Sequence, residues 1–121
     1  MRVIIDLIED VREQIGNHEE YWVMAGLLKT DKEDSSKLIY AGEAPLNAMS
    51  LEREKRQLTL KIDGSGKILT IGELIPEILI LDMDAMMFEV IMDVNAQYKD
   101  MEIVGFGKYD EEKRYILFIK V

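Results

Sequence analysis

The chain has 121 residues, 48% of them hydrophobic, and its 24 acidic residues outnumber 15 basic ones to give a net charge of −9. This length suits one globular domain. The absence of cysteine excludes disulfides and thiolate chemistry, and a single histidine, His18, cannot form a His-based zinc site alone. The acidic balance also argues against a protein that binds nucleic-acid phosphates.

Charged residues interrupt every long apolar stretch. No uncharged run approaches the roughly 18 residues that a membrane span requires. The amino-terminal segment is also too charged for a secretory signal, with Asp6, Glu9, Asp10, Arg12 and Glu13. We therefore expect a cytoplasmic protein without membrane attachment.

The chain begins with the pattern of an amphipathic helix over residues 3–16. Ile4, Ile8 and Val11 recur at helical spacing opposite a charged face. Gly16 and Asn17 are predicted to end this helix because both tolerate a left-handed cap. Further apolar runs predict strands at 21–29, 37–41, 57–62 and 67–71.

The segment 45–56 is harder to interpret. Pro45 suits the first position of a helix, and Leu46 and Met49 share one helical face, so the segment is predicted to be either a helix or a loop. Strict alternation from Gln57 predicts a strand instead. The sequence Asp-Gly-Ser-Gly at 63–66 then predicts a hairpin turn, since glycine reaches positive φ easily.

The last third is predicted to contain a second long helix and a closing hairpin. Pro76 interrupts residues 73–81, which favours one helical turn followed by a buried strand at 77–81. Asp82 or Asp84 would cap the next helix. Its apolar stripe would be Met83, Met87, Val90, Val94 and Tyr98. Residues 101–109 and 113–121 would form the hairpin around the acidic turn 110–112.

These elements predict an α+β domain over residues 1–121. Two long amphipathic helices would cover one face of a mainly antiparallel sheet of about five to seven strands. The order also suggests an internal helix-hairpin repeat. Asp10-Val11-x-x-Gln14 matches Asp93-Val94-x-x-Gln97, and Gly26-x-x-Lys29-x-Asp31 matches Gly105-x-x-Lys108-x-Asp110.

One acidic motif suggests chemistry. An apolar run, 78–81, ends in Asp82-Met83-Asp84, and this resembles the opening motif of the haloacid dehalogenase-like phosphatases. The resemblance implies a nucleophilic Asp82, an acid/base Asp84 and a magnesium ion between carboxylate and phosphate. Ala85 and Met86 stand where that family has glycine and a hydroxyl residue. The alternative interpretation is that Asp82 and Asp84 cap the helix that follows a buried strand.

Other acidic residues suggest weaker metal sites. The glycine-rich turn at 63–66 resembles part of an EF-hand calcium loop, but Lys61 and Gly72 occupy the positions of its two end carboxylates. Asp82, Glu89 and Asp93 would line one side of the predicted second helix as a hard-cation site. Solvated carboxylates on an acidic protein explain the same spacing. We therefore assign no metal and no cofactor.

Two further groups suggest binding. Arg53, Lys55, Arg56 and Lys61 place four basic residues within nine positions, a candidate anion contact that alternating glutamates also explain as a solvated face. Methionine is flexible and suits adaptable partner surfaces, and the predicted second helix carries Met83, Met86, Met87 and Met92.

The sequence thus favours a non-catalytic interaction or regulatory module. We expect a protein partner or self-association, because such a module needs no catalytic constellation. The alternative is a small magnesium-dependent, phosphate-processing enzyme that uses Asp82 and Asp84.

Overall fold

A computed structural model describes residues 1–16 and 18–121. Over these residues the fold is a seven-stranded sheet with two α-helices and two short 3-10 helices. The α-helices are α1 (Ile4–Gln14) and α2 (Ile71–Leu79), and the 3-10 helices cover Met83–Met87 and Asp110–Glu112. The strands are β1 (Trp22–Thr30), β2 (Leu38–Pro45), β3 (Ala48–Glu52), β4 (Gln57–Lys61), β5 (Glu89–Asp93), β6 (Met101–Tyr109) and β7 (Arg114–Lys120).

The sheet is mixed, with the strand order β2-β1-β7-β6-β5-β4-β3. β1 pairs with β7 in parallel, and β4 pairs with β5 in parallel. The other neighbouring pairs are antiparallel. The predicted α+β class and the strand number are confirmed, and β2 and β3 form the two edges of the sheet.

Both helices bury an apolar stripe in one core. α1 buries Ile4, Leu7, Ile8 and Val11, as its sequence periodicity predicts. At its start, the Asp6 carboxylate accepts a hydrogen bond from the Val3 N–H at 2.9 Å, which satisfies one of the free donors of a helix terminus. Gly16 ends the helix with φ 66°, whereas the predicted role of Asn17 lies outside the described residues.

The buried strand predicted at 77–81 is wrong. Residues 73–79 belong to α2, which buries Ile71, Leu74 and Ile78 on one face in spite of Pro76, and residues 80 and 81 follow the end of the helix. Proline removes one helical hydrogen bond. The helix forms nevertheless because the spacing of three and four residues places all three apolar side chains in the core.

The predicted long second helix is also wrong, and the predicted repeat fails with it. Residues 83–87 form a single 3-10 helix, and Glu89–Asp93 is β5. Val90 and Met92 are fully buried on one side of β5, which is the two-residue period of a strand. Asp93 therefore ends a strand, whereas its proposed counterpart Asp10 lies within α1.

Two predictions in the middle of the chain need correction. The helix or loop predicted at 45–56 is replaced by β3, which forms a hairpin with β4 through a turn whose last residue, Arg56, has φ 55°. The proposed strand at 67–71 makes only an isolated bridge from Thr70 to Trp22. The Leu69 N–H donates to the Leu46 carbonyl, and the Leu69 carbonyl accepts from the Val23 N–H. Main-chain hydrogen bonds to residues distant in sequence therefore hold this segment at the end of the sheet.

The α-helices are too short to cross a membrane. In the part of the chain that the structure describes, no helix combines the length and apolar character that a span requires.

Glycines make room for an aromatic ring in the sheet. The ring of Phe118 on β7 lies so close to Gly26 on β1 that a Cβ atom at Gly26 would come within 2.7 Å of it and within 2.6 Å of Ile116. A similar approach of 2.8 Å would occur at Gly107 on β6. Both positions therefore need a residue without a side chain.

We expect Gly26→Ala to lower the free energy of unfolding by about 1–3 kcal/mol, because Ile116 and Phe118 must move to admit the methyl group. Chemical denaturation followed by circular dichroism measures this loss. Gly105→Ala is the matched control, since a Cβ atom there meets nothing within 4 Å. Equal stability of the two variants would contradict the packing argument.

Candidate protein-interaction surfaces

The Met-rich surface is an exposed apolar patch at the end of α2 and on the 3-10 helix that follows. It consists of Leu79, Ile80, Met83 and Met87. Ile80 and Met83 are each 84% exposed, and Leu79 and Met87 are more than half exposed. Exposed apolar side chains that gather in one region mark interaction sites more often than isolated ones do.

Apolar grooves lie on both sides of α2 at this surface. The first, of about 290 Å³, separates α2 from α1 and is lined by Ile8, Val11, Ile75 and Leu79. The second, of about 330 Å³, lies between α2 and the sheet edge and is lined by Met49, Leu51 and Ile80. Leu79 and Ile80 therefore each belong to a groove and to the Met-rich surface.

The charges near this surface are mainly acidic. Glu77 and Asp84 are exposed close to Ile80 and Met83 in the chain, and Glu77 also lines the second groove. Asp82 lies between them, and its carboxylate forms an ion pair with Arg53 at 2.9 Å. Glu77 and Asp84 form no ion pair among the described residues and border the Met-rich surface with negative charge, while Arg12 and Glu19 both line the first groove.

Asp82 and Asp84 occupy different environments from each other. Asp82 caps the 3-10 helix, since its Oδ1 accepts a hydrogen bond from the Ala85 N–H at 3.0 Å. That hydrogen bond, together with Arg53, holds the pKa of Asp82 below its ordinary value. Asp84 is exposed in the first turn. Both carboxylate oxygens of Asp82 are thus hydrogen-bonded within the chain, Oδ1 to the Ala85 N–H and Oδ2 to Arg53.

The four basic candidates are divided between the β3–β4 turn, which holds Arg53, Lys55 and Arg56, and β4, which holds Lys61. Arg53 pairs with Asp82, and Lys55 pairs with Glu52 at 3.4 Å. The guanidinium of Arg56 lies 5.0 Å from the ring centre of Phe88. Lys61 lies at the far end of β4, opposite Ala48 of β3. Three of these side chains thus have contacts within the chain.

The glycine-rich turn at 63–66 is held by Asn47, a buried polar residue that the sequence analysis did not single out. Its side-chain amide donates to the Lys67 carbonyl, and its Oδ1 accepts from the Asp63 N–H at 3.1 Å. The Ser65 side chain and the Ser65 N–H both donate to the Asp63 carboxylate, and these hydrogen bonds lower the pKa of Asp63. These contacts are those of a structural turn.

No group of three or more His, Asp or Glu side chains that would hold a metal ion occurs within residues 1–16 and 18–121. Glu89 and Asp93 are at opposite ends of β5, with Asp93 accepting a hydrogen bond from the Asp100 N–H at 2.7 Å. Asp82 is engaged by Arg53. The three carboxylates therefore do not form the side of a helix that their spacing suggested.

A second exposed apolar region lies on β2. Leu38, Ile39 and Tyr40 are consecutive, and each is about half exposed. β2 is an edge strand whose only neighbour in the sheet is β1. An edge strand presents unpaired N–H and C=O groups to any chain that can pair with it.

Comparisons with known proteins give no relative: no protein-family model, curated protein or solved structure matches this chain. The two exposed apolar surfaces are therefore the candidate functional sites of the chain.

The sequence indicated these surfaces only in part. Methionine content pointed to Met83 and Met87, which are exposed, but also to Met92, which is fully buried in β5. Ile80 was assigned to a buried strand and is nearly fully exposed. The signal for the second surface was a run of three large apolar residues, Leu38, Ile39 and Tyr40. This run lies between a polar loop and a β-bulge.

Proposed function

We propose that this protein is a non-catalytic interaction module that binds an amphipathic segment of another protein on its Met-rich surface. The observation that carries the proposal is the exposure of Ile80 and Met83, each 84%, the highest among the large hydrophobic side chains that the structure describes. Removing such side chains from water on binding supplies about 25 cal/mol for each Å² of apolar area.

The grooves beside α2 favour a helical partner. An amphipathic helix presents apolar side chains at intervals of three and four residues, and it can insert them into hydrophobic grooves. Here one groove lies on each side of α2, with Leu79 in the first and Ile80 in the second. Methionine side chains adapt their shape to such a partner.

The acidic rim supports a partner with basic flanks. Glu77 and Asp84 border the surface, and the whole chain carries a charge of −9. Lysine or arginine beside the apolar face of the partner would complement this potential and speed association. We therefore expect binding to weaken as the salt concentration rises.

We expect an 18-residue helical peptide with leucine on one face and lysine on the other to bind the protein, and we expect Ile80→Lys/Met83→Lys to weaken that binding at least tenfold. The substitutions place positive charge against the basic peptide and remove apolar area. Fluorescence anisotropy of the labelled peptide measures both affinities.

Val104→Lys is the matched control, because Val104 is also exposed but lies on β6. It should bind the peptide as the unaltered protein does. Equal affinities for the double variant and the unaltered protein, or no binding of the peptide, would contradict the proposal. A peptide with glutamate in place of lysine should bind more weakly and tests the charge argument separately.

A further inference from the structure

The outward main-chain groups of β2 can be assigned from its pairing with β1. The Asp31 N–H donates to the Lys37 carbonyl at 2.9 Å, so these two residues form a hydrogen-bonded position. Hydrogen-bonded and non-hydrogen-bonded positions alternate along an antiparallel pair of strands. Ile39, which lies opposite Lys29, therefore directs its main-chain groups toward β1, whereas Leu38 and Tyr40 direct theirs away.

A contact on the far side of β1 agrees with this assignment. Leu28 lies opposite Tyr40, and the Leu28 carbonyl accepts a hydrogen bond from the Val121 N–H at 2.8 Å, beyond the end of β7. Leu28 therefore points away from β2. The N–H and C=O of Tyr40 must then face the open edge of the sheet.

We infer that a second copy of this chain binds along β2, as an antiparallel strand pair centred on Ile39 and related by a two-fold axis. In this register Leu38 of one copy lies opposite Tyr40 of the other. Both residues direct their main-chain groups outward, so each Leu38–Tyr40 pair exchanges both of its hydrogen bonds. The outward N–H and C=O groups of β2 in one copy are thus complementary to those of β2 in the other copy.

The side chains suit the same register. Leu38 and Tyr40 would form an aliphatic–aromatic cross-strand pair, of the kind that stabilises sheets. Ile39 would meet its own counterpart on the opposite face. All three side chains are about half exposed in the single chain and would lose contact with water in the pair.

Charge also favours a second copy at this edge. Two chains of net charge −9 repel each other over most of their surfaces. Residues 37–42 contain no carboxylate, and their one charged side chain is Lys37. In the proposed register Lys37 lies opposite the small, neutral Ala41, so the pairing of residues 37–41 brings no acidic groups together and places a positive charge against an acidic partner.

The two-fold register gives a sharp test, because Ile39 alone lies opposite itself. We expect the unaltered protein to show the mass of a dimer by light scattering after size-exclusion chromatography. Ile39→Lys and Ile39→Glu should each dissociate at least ten times more readily, since like charges meet at the axis. A mixture of the two variants should recover the dimer. Monomers in that mixture would overturn the proposal.

The absence of native cysteine allows a second test that does not depend on disrupting the edge. Residues opposite each other at a non-hydrogen-bonded position have Cα atoms about 4.5 Å apart, within the roughly 4.4–6.8 Å that a disulfide requires. We therefore expect Ile39→Cys to form a disulfide-linked dimer under mild oxidation. Val104→Cys, with 43% exposure against 48% for Ile39, is the matched control.

Other occupants of the edge would give different results. Pairing of β2 with β3 of another copy would produce open chains instead of a dimer, and a β2 edge reserved for a different protein would leave the unaltered chain monomeric. Either result would overturn the inference. The Ile80→Lys/Met83→Lys variant should remain dimeric, so failure here is distinguishable from failure of the proposed partner surface.

Discussion

Ile78→Ala should lower the free energy of unfolding by about 2–5 kcal/mol, the range for large-to-small changes in a protein core. Ile78 is fully buried on the inner face of α2 with Leu74. The substitution removes apolar contacts and leaves a cavity that neighbouring residues of the sheet only partly fill. Urea denaturation followed by circular dichroism measures the loss.

Ile80→Ala is the matched control, because the same chemical change occurs two residues later at a position that is 84% exposed. We expect its effect to remain within about 0.5 kcal/mol. A similar loss for both variants would contradict the helical geometry of α2 and, with it, the exposure of the Met-rich surface. The comparison therefore tests the fold and the basis of the proposed function together.

The second large effect is a loss of stability in alkaline solution. Tyr115 is fully buried, and its phenol donates a hydrogen bond to Asp10 Oδ2 at 2.5 Å. Burial, followed by this hydrogen bond and the charge of Asp10, raises the pKa of Tyr115 well above its ordinary value of 10.0. The folded protein therefore keeps the phenolic proton at a pH where the unfolded chain has lost it.

The sign of the effect follows from proton linkage. Above pH 10 the unfolded state binds fewer protons than the folded state, so the free energy of unfolding decreases as the pH rises. While the folded phenol stays protonated, the decrease attributable to Tyr115 approaches about 1.4 kcal/mol per pH unit. Below pH 10 the contribution is fully present and does not change.

Tyr115→Phe separates this contribution from that of the other tyrosines. Near neutral pH it should lose about 1 kcal/mol with the hydrogen bond to Asp10. Between pH 10 and 11.5 its stability should fall less steeply than that of the unaltered protein. Denaturant titrations give the free energy of unfolding of both proteins at each pH. Equal slopes of this free energy against pH would show that Tyr115 does not control alkaline unfolding.

Local signals in the sequence predicted the two ends of the chain well. The stripe of Ile4, Ile8 and Val11 has one interpretation only, because charged residues occupy the other helical positions. The closing hairpin, β6 and β7, also follows from local pattern, with an acidic turn and Lys113 at φ 53° between the strands. In both regions neighbours in sequence decide the structure.

Between residues 73 and 98 the pattern permitted two interpretations. Met83, Met87, Val90 and Val94 fit a helical stripe, but Val90 and Met92 fit a strand equally well. The strand forms because β4 binds its main chain in parallel and residues 91–92 also pair with β6. β4 is distant from β5 in sequence, and no local period reports that pairing.

The candidate surfaces were predictable to different extents. Methionine content indicated an adaptable surface, and Met83 and Met87 are part of it, but the exposure of Ile80 depends on the direction in which α2 packs. The apolar character of Leu38, Ile39 and Tyr40 is visible in the sequence. Their location at an open edge follows from the parallel pairing of β1 with β7, which leaves the far side of β2 without a neighbour.

Composition and short-range periodicity suffice to predict the class of fold, the first helix, the closing hairpin and the absence of cysteine chemistry. Which apolar residues stay in water follows only from how the segments pack against one another. Burial depends on contacts between segments far apart in the chain, and Ile78 and Ile80, two residues apart in one apolar run, show this most clearly.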